Sequence, residues 1–207
     1  MKADLWFPTI IWQGDLKQVN NVELAEYVNK LQQESAGRRV SNYGGWQSEA
    51  QDLLAQKPVG VEVLLQGIQN SINQCTKMAG LPTLQISDFW WNSNPKGSYN
   101  QPHNHRDSLL SRVYYIDATP EQGRIQFYRE DDAEFFLPRL PKYTQITSQK
   151  ATYNPAPGKI IIFPSWVKHS VEGNPTDNIR LSMSFNTMIA MTPENDEIAK
   201  LNGFPTQ

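Results

Sequence analysis

Past Pro82 the chain breaks into short runs rich in β-branched and aromatic residues: "LQISDFWWNSN", "LLSRVYYIDA", "GRIQFYRE", "KIIIFPSW" and "NIRLSMSFNTMIA". Turn signals separate them, among them Pro95-Lys96-Gly97, Thr119-Pro120 and Pro157-Gly158. Several short strands punctuated in this way predict a sandwich or a closed jelly roll, not a parallel α/β sheet. The stretch from Glu130 to Gly158 is a long, proline-bearing connection. A loop of that length is expected to lie over one mouth of the barrel as a lid or inserted loop.

Ahead of Pro82 the period is helical. Leu24, Tyr27, Val28 and Leu31 recur at helical spacing, with Asn20 or Asn21 as N-cap and Gly37 as a stop. A second helix is expected from about Val61 to Met78, where Leu65, Ile68, Ile72 and Cys75 form one stripe, and Ala79 to Pro82 closes it. The expected architecture is therefore mainly β with flanking N-terminal α-helices. At 207 residues it suits a single domain: a helical part over 1–80, a β core over 81–192 and a tail over 193–207.

The formal charge of −2 and the absence of any long Lys/Arg run argue against a polyanionic partner, so no nucleic acid is expected. No apolar stretch is long enough to span a bilayer, and the start lacks the apolar core of a secretory signal. The single cysteine, Cys75, excludes an internal disulfide and a cysteine-based zinc site, which suits a reducing, cytoplasmic setting.

Only three histidines occur in the chain, and two of them stand in "QPHNHRDSLL" (Gln101 to Leu110). On an extended strand residues i and i+2 point the same way, their Cα atoms roughly 6–7 Å apart. Side chains so placed can converge on one ion. The pairs His103/His105 and His105/Asp107 both satisfy this, and His169 in "FPSWVKHSV" is the one histidine left to join either pair. A lone His-x-His pair is a weak signal, and an isolated exposed histidine is usually plain polar surface. The concentration of every histidine into two strand-like segments favours a metal site. Nitrogen or mixed nitrogen/oxygen ligands on one face leave the other face open to substrate, as in non-haem Fe(II) oxygenases.

From Arg180 to Asn186 the residues alternate, with Arg180, Ser182, Ser184 and Asn186 on one face and Leu181, Met183 and Phe185 on the other. Two arrangements fit: polar face in water over a core, or polar face inside a barrel pocket with the apolar face under the helices. An inward Arg180-x-Ser182 beside a metal histidine would seat a carboxylate-bearing cosubstrate through paired, charge-assisted hydrogen bonds. A surface arginine paired with an Asp or Glu is the plainer alternative.

Taken together, "LWFPTIIW" (Leu5 to Trp12), "GGWQS" (Gly44 to Ser48), "HNHRDSLLSRVYY" (His103 to Tyr115), "FPSWVKHSV" (Phe163 to Val171) and "RLSMSFN" (Arg180 to Asn186) resemble the Fe(II)- and 2-oxoglutarate-dependent oxygenase superfamily. More narrowly, the chain is similar to a family of 2-oxoglutarate/iron oxygenases with a His-x-His signature. The resemblance implies a double-stranded β-helix of the cupin-like jelly-roll type. It implies His103, His105 and His169 as iron ligands, and Arg180 with Ser182 as the seat of the 2-oxoglutarate C5 carboxylate. Asn92, Asn94, Tyr99 and Tyr115 are candidates for hydrogen bonds around the cosubstrate, with core packing the stronger expectation for Tyr115. Trp90, Trp91 and Trp166 are expected in the core, Trp166 bordering the pocket. Arg106 stands where the narrower family usually has proline, and His105-Arg106-Asp107 matches the wider superfamily's His-x-Asp frame, so Asp107 is the rival of His103.

The implied activity couples oxidative decarboxylation of 2-oxoglutarate, with O2, to hydroxylation of a second substrate, by analogy a peptide or protein residue. Two other functions fit the same residues: a three-histidine cupin-type enzyme that does not use 2-oxoglutarate, and a non-catalytic jelly-roll binding module. An antiparallel edge strand would suit a homodimer.

Overall fold

The computed structural model describes residues 1–207 except 3, 5, 52, 54, 107, 132–138, 194 and 196–207. Two antiparallel sheets face each other. The larger runs in the order β1 (Trp12–Asp15), β9 (Lys159–Pro164), β6 (Leu110–Asp117), β11 (Arg180–Ile189), β4 (Leu84–Asn94) and β3 (Trp46–Gln47). The smaller runs β2 (Asn42–Tyr43), β5 (Tyr99–His103), β10 (His169–Val171), β7 (Ile125–Tyr128) and β8 (Lys150–Tyr153). Sequential strands alternate between the sheets from β4 to β7 and again from β8 to β11, the winding of a jelly roll. Each of the five expected β-rich runs contains a strand of this fold.

Two helices cover the outer face of the larger sheet. Helix α1 (Asn21–Glu34) begins at Asn20, whose side-chain oxygen accepts the Glu23 N–H at 3.4 Å. Helix α2 (Val59–Ala79) ends at Gly80, which adopts the left-handed conformation (φ 65°) and donates its N–H to the Thr76 carbonyl. The buried stripe of α2 is Val61, Leu64, Ile68, Ile72 and Cys75, so the inward position in the second turn is Leu64 and not Leu65, which is only partly buried. With Leu24 and Val28 of α1 this stripe packs onto Phe89, Trp91, Leu110, Tyr114, Ile162, Met183 and Phe185. A second apolar cluster lies between the sheets, formed by Val113, Tyr115, Ile161 and Phe163 of the larger and Ile125 and Phe127 of the smaller.

Strand β11 therefore separates two environments. Leu181, Met183 and Phe185 enter the layer beneath the helices, while Arg180, Ser182 and Ser184 line a pocket between the sheets. The second of the two arrangements open to the sequence is the one adopted.

Three differences from expectation have physical causes. The first 80 residues supply three short strands as well as the helices. Gly37 does not cap α1, which ends at Glu34; its φ of 67° and its packing against the Gln47 carbonyl, 2.4 Å from where a Cβ would sit, serve a close chain approach instead. The connection from Glu130 to Gly158 holds β8, which extends the smaller sheet by pairing with β7. Among its described residues none lines the interior pocket, and residues 132–138, on which the expected lid partly falls, lie outside the described residues. Among the described residues no helix is long and apolar enough to cross a membrane.

Removing a fully buried side chain from the α2 stripe leaves a cavity that neither rigid layer can close. Ile68→Ala is expected to destabilise the protein by roughly 2–5 kcal/mol, against a much smaller loss for the half-buried Leu65→Ala. Urea midpoints at constant slope measure the difference.

Candidate metal centre and its pockets

Strand pairing brings the two histidine segments together. His169 opens β10 and His103 closes β5, and the two are direct register partners. Only His103 of the pair in "HNH" is on a strand. His105 stands in the loop beyond it, where its N–H donates to the Ser165 carbonyl at 2.9 Å and its ring lies 6.2 Å from that of Trp90. Ser165 is itself held by its N–H to the Leu109 carbonyl and by a 2.6 Å hydroxyl contact with Ser111. The turn after β9 thus sets the second histidine as firmly as a strand would.

One donor atom from each of His103, His105 and His169 can be chosen so that all lie within 4.8 Å of one another. Two nitrogens bound to one ion at about 2.1 Å are at most ~4 Å apart, so small ring rotations close the set on an ion. The Nδ1 atoms of His103 and His169 sit 2.7 and 2.9 Å from the carbonyls of Gln101 and Val167. A carbonyl can only accept, so Nδ1 carries the proton in each ring and Nε2 keeps its lone pair for a metal. Asp107, the rival of His103, lies outside the described residues.

The triad is neutral without a metal. Burial, then the neighbouring His103, hold His169 down to about 3, against a smaller opposing effect from its Val167 hydrogen bond. Burial and His103 lower His105 to about 4, against a smaller pull from Asp88, and burial lowers His103. A neutral imidazole is the ligand form, so protons do not compete for the site at neutral pH.

The pocket behind the triad is built in cross-strand rows. In the larger sheet Asn94 faces Arg180; Asn92, Ser182 and Tyr115 form the next row; Trp90, Ser184 and Val113 form the third. All of these line the pocket together with the three histidines. Asn92 donates to the Ser184 hydroxyl at 3.2 Å, and Asn94 donates to the Asn42 side chain at 2.7 Å.

Arg180 is 1% exposed. Its Nη1 donates to the carbonyls of Gln122, Gly123 and Glu172, and among the described residues no carboxylate pairs with it. Burial lowers its pKa, with Tyr115 opposing. Among the described residues the buried Tyr115 hydroxyl has no hydrogen-bond partner, and burial pushes it up to about 12. An uncompensated buried cation beside an unsatisfied hydroxyl is costly in a closed protein and fits a cavity made for an anion.

Tyr99 does not belong to this set. Its ring packs 5.2 Å from Tyr43, its cross-strand partner, and it does not line the pocket. Simple alternation from His103 would have turned it inward. Between the partner pairs His169/His103 and Val171/Asn100, β5 advances three residues against two in β10. That bulge reverses the parity, so that Asn100 faces the pocket with His103 while Tyr99 faces away. Asn100 and Ser41 are pocket residues that sequence alone did not single out. Trp90 and Trp91 are buried as expected, whereas Trp166 is 61% exposed and outside the pocket lining. Arg112, also unremarked in the sequence, is buried with its guanidinium 4.1 Å above the Phe185 ring and no hydrogen-bond partner.

Residues 88–186 match the family model described as "Putative 2OG-Fe(II) oxygenase". No curated protein matches the chain in sequence. Among solved structures, a prolyl-4-hydroxylase from Pseudomonas putida is 16% identical with a TM-score of 0.59, covering 86% of this chain and 92% of that one. An oxidoreductase of the 2OG-Fe(II) oxygenase family from Burkholderia pseudomallei is 17% identical with a TM-score of 0.58, covering 86% of each chain. A prolyl hydroxylase from Trichoplax adhaerens, in complex with a peptide fragment of the hypoxia inducible factor oxygen degradation domain, is 12% identical with a TM-score of 0.61, covering 86% of this chain and 83% of that one. At such identities these structures speak for the fold alone. The segment 88–186, which carries all three histidines and Arg180, is thus similar to the 2OG-Fe(II) oxygenase family, and iron(II) and 2-oxoglutarate are the cofactors that this likeness and the three-histidine cluster support.

Proposed function

We propose that this protein is a 2-oxoglutarate-dependent hydroxylase in which His103, His105 and His169 hold iron(II), and that a peptide or protein residue is its second substrate. The observation that carries the proposal is Arg180. A buried guanidinium bonded only to carbonyls, beside a free Tyr115 hydroxyl and in the same pocket as three neutral imidazoles, suits a bound dicarboxylate. A cupin-type enzyme without 2-oxoglutarate would pair that arginine with a protein acid, and the described residues supply none.

In this proposal Arg180 and Ser182 take the C5 carboxylate, with Tyr115 donating its hydroxyl hydrogen to the same group. Asn92, one row closer to the triad, is placed to orient the rest of the cosubstrate through its amide. Bound together, iron(II) and 2-oxoglutarate supply the oxidative chemistry in which O2 gives one atom to succinate, with loss of CO2, and the other to a C–H bond. The protein's part is placement and dryness. The Gln101 and Val167 carbonyls fix the imidazole tautomers, and Val113, Phe163 and Ile125 exclude water from the pocket.

His169→Ala is expected to abolish substrate-independent release of succinate from 2-oxoglutarate and the rise in melting temperature on adding Mn(II); wild-type turnover in this variant would remove the assignment. Arg180→Ala should raise the KM for 2-oxoglutarate about 10–100-fold, as expected for loss of charged hydrogen bonds at ~1.5–3 kcal/mol. His103→Ala should lose iron and Asp107→Ala keep it; the reverse would give the ligand place to Asp107.

The pH dependence has a definite sign. With folded pKa values below the ordinary 6.5, the unfolded chain binds more protons than the folded one between about pH 6.5 and 4. The metal-free protein should therefore lose stability as pH falls through that window. The Mn(II)-induced melting shift should persist to about pH 5, where exposed histidines of ordinary pKa would already be protonated.

A further inference from the structure

Outside the histidines, the interior pocket opens into a second, wider space. A groove of about 490 Å³ shares Ser41, Trp90, His103 and His105 with the pocket and is otherwise walled largely by polar side chains. One wall comes from residues 38–47, ahead of the segment that matches the oxygenase family. This wall is pinned. The Arg38 N–H donates to the Gln47 carbonyl at 2.8 Å, the Trp46 indole donates to the Ser35 carbonyl at 2.9 Å, and the Gln101 N–H donates to the Ser41 carbonyl at 3.2 Å. Gly37 lets the chain pass where a Cβ would strike Gln47.

Arg38 extends from this wall with its guanidinium carbon 5.4 Å from the centre of the Trp90 ring. Stacking on an indole fixes the plane of the fork and leaves its edge for a ligand. Its Nε is shielded from water, yet among the described residues it has no hydrogen-bond partner and no carboxylate forms an ion pair with it. Asp88, the acid in the same groove, is engaged elsewhere, accepting from the Ser87 hydroxyl at 2.7 Å and the Asn186 amide at 3.3 Å.

We propose that Arg38 is a specificity-determining residue that seats a carboxylate of the second substrate at the mouth of the metal pocket. A planar carboxylate matches the guanidinium fork with two parallel hydrogen bonds. A phosphate, carrying about −1.5 to −2 at neutral pH, would meet the negative charge of Asp88 in the same groove. The carboxylate can belong to a free acid or to an aspartyl or glutamyl side chain of a polypeptide. The carboxamides of Gln47, Gln101, Asn104 and Asn186 around it can both donate to and accept from peptide bonds. The inference rests on the histidines being the iron site.

The test uses matched twins on the full chain loaded with Fe(II) and 2-oxoglutarate. Acetylated, amidated peptide mixtures with a fixed Asp or Glu are compared with their Asn or Gln counterparts, and small carboxylic acids with their amides. Succinate release in wild type should be stimulated at least tenfold more by the acid member of a twin, through KM more than kcat. The acid-to-amide ratio should fall to about 1 in Arg38→Ala and recover in part in Arg38→Lys, a rescue that a merely structural role would not give. The peptide and free-acid arms identify the source of the carboxylate. Equal stimulation by acids and amides, an undiminished ratio in Arg38→Ala, preference for a phosphoserine twin, or no stimulation by any carboxylate while 2-oxoglutarate still turns over would overturn the proposal. If wild type releases no succinate at all, the oxygenase assignment fails instead. Melting shifts of the Mn(II)-loaded chain with the same twins then still decide whether Arg38 selects carboxylates.

Discussion

A strand with period-two alternation must be wet on one side or have something to do there, and β11 is buried on both. That is the constraint around which the molecule is arranged. One face of β11 supplies Leu181, Met183 and Phe185 to the layer under the helices. The other holds Arg180, Ser182 and Ser184 away from bulk water. Because the flanking strands β4 and β6 pair with it, Ser182 and Ser184 each bring an Asn or Trp from one side and a Tyr or Val from the other into the same row, and Arg180 brings Asn94. The polar pocket follows from the apolar layer: once the helices claim one face, parity delivers the polar residues to the other.

The architecture was largely legible before any coordinates. Short runs with Pro and Gly punctuation foretold strands, and the helical stripes marked α1 and α2, because these signals are local and periodic. The convergence of His103, His105 and His169 was legible by economy, since a chain with three histidines in two strand-like segments has few other uses for them. Strand β8 was not legible, because Lys150–Tyr153 is a short edge strand whose pairing with β7 alone makes it a strand. Tyr99 was misplaced for a different reason. Alternation is a rule for unbroken ladders, and the bulge in β5 is visible only from the register with β10. Arg38, Ser41 and Asn100 carried no motif; their roles arise from how remote segments pack.

Two buried cations line the interior pocket in different ways. Arg180 satisfies one nitrogen with backbone carbonyls and opens onto a cavity, so its remaining capacity is available to a ligand. Arg112, in the lining of the same pocket, lies against the Phe185 ring, where burial pushes its pKa far below the usual arginine range.

The segment of residues 38–47 is held to the barrel by pairing of β2 with β5 and of β3 with β4, one strand to each sheet, and by close approaches at Gly37 and Gly45 that leave no room for a side chain. Apart from these glycines and from Asn42 and Trp46, whose side chains also bond, that attachment runs through the main chain. The segment's remaining outward side chains can therefore change without disturbing the strands that carry His103 and His169, so that what the groove admits is separable from what the metal centre does.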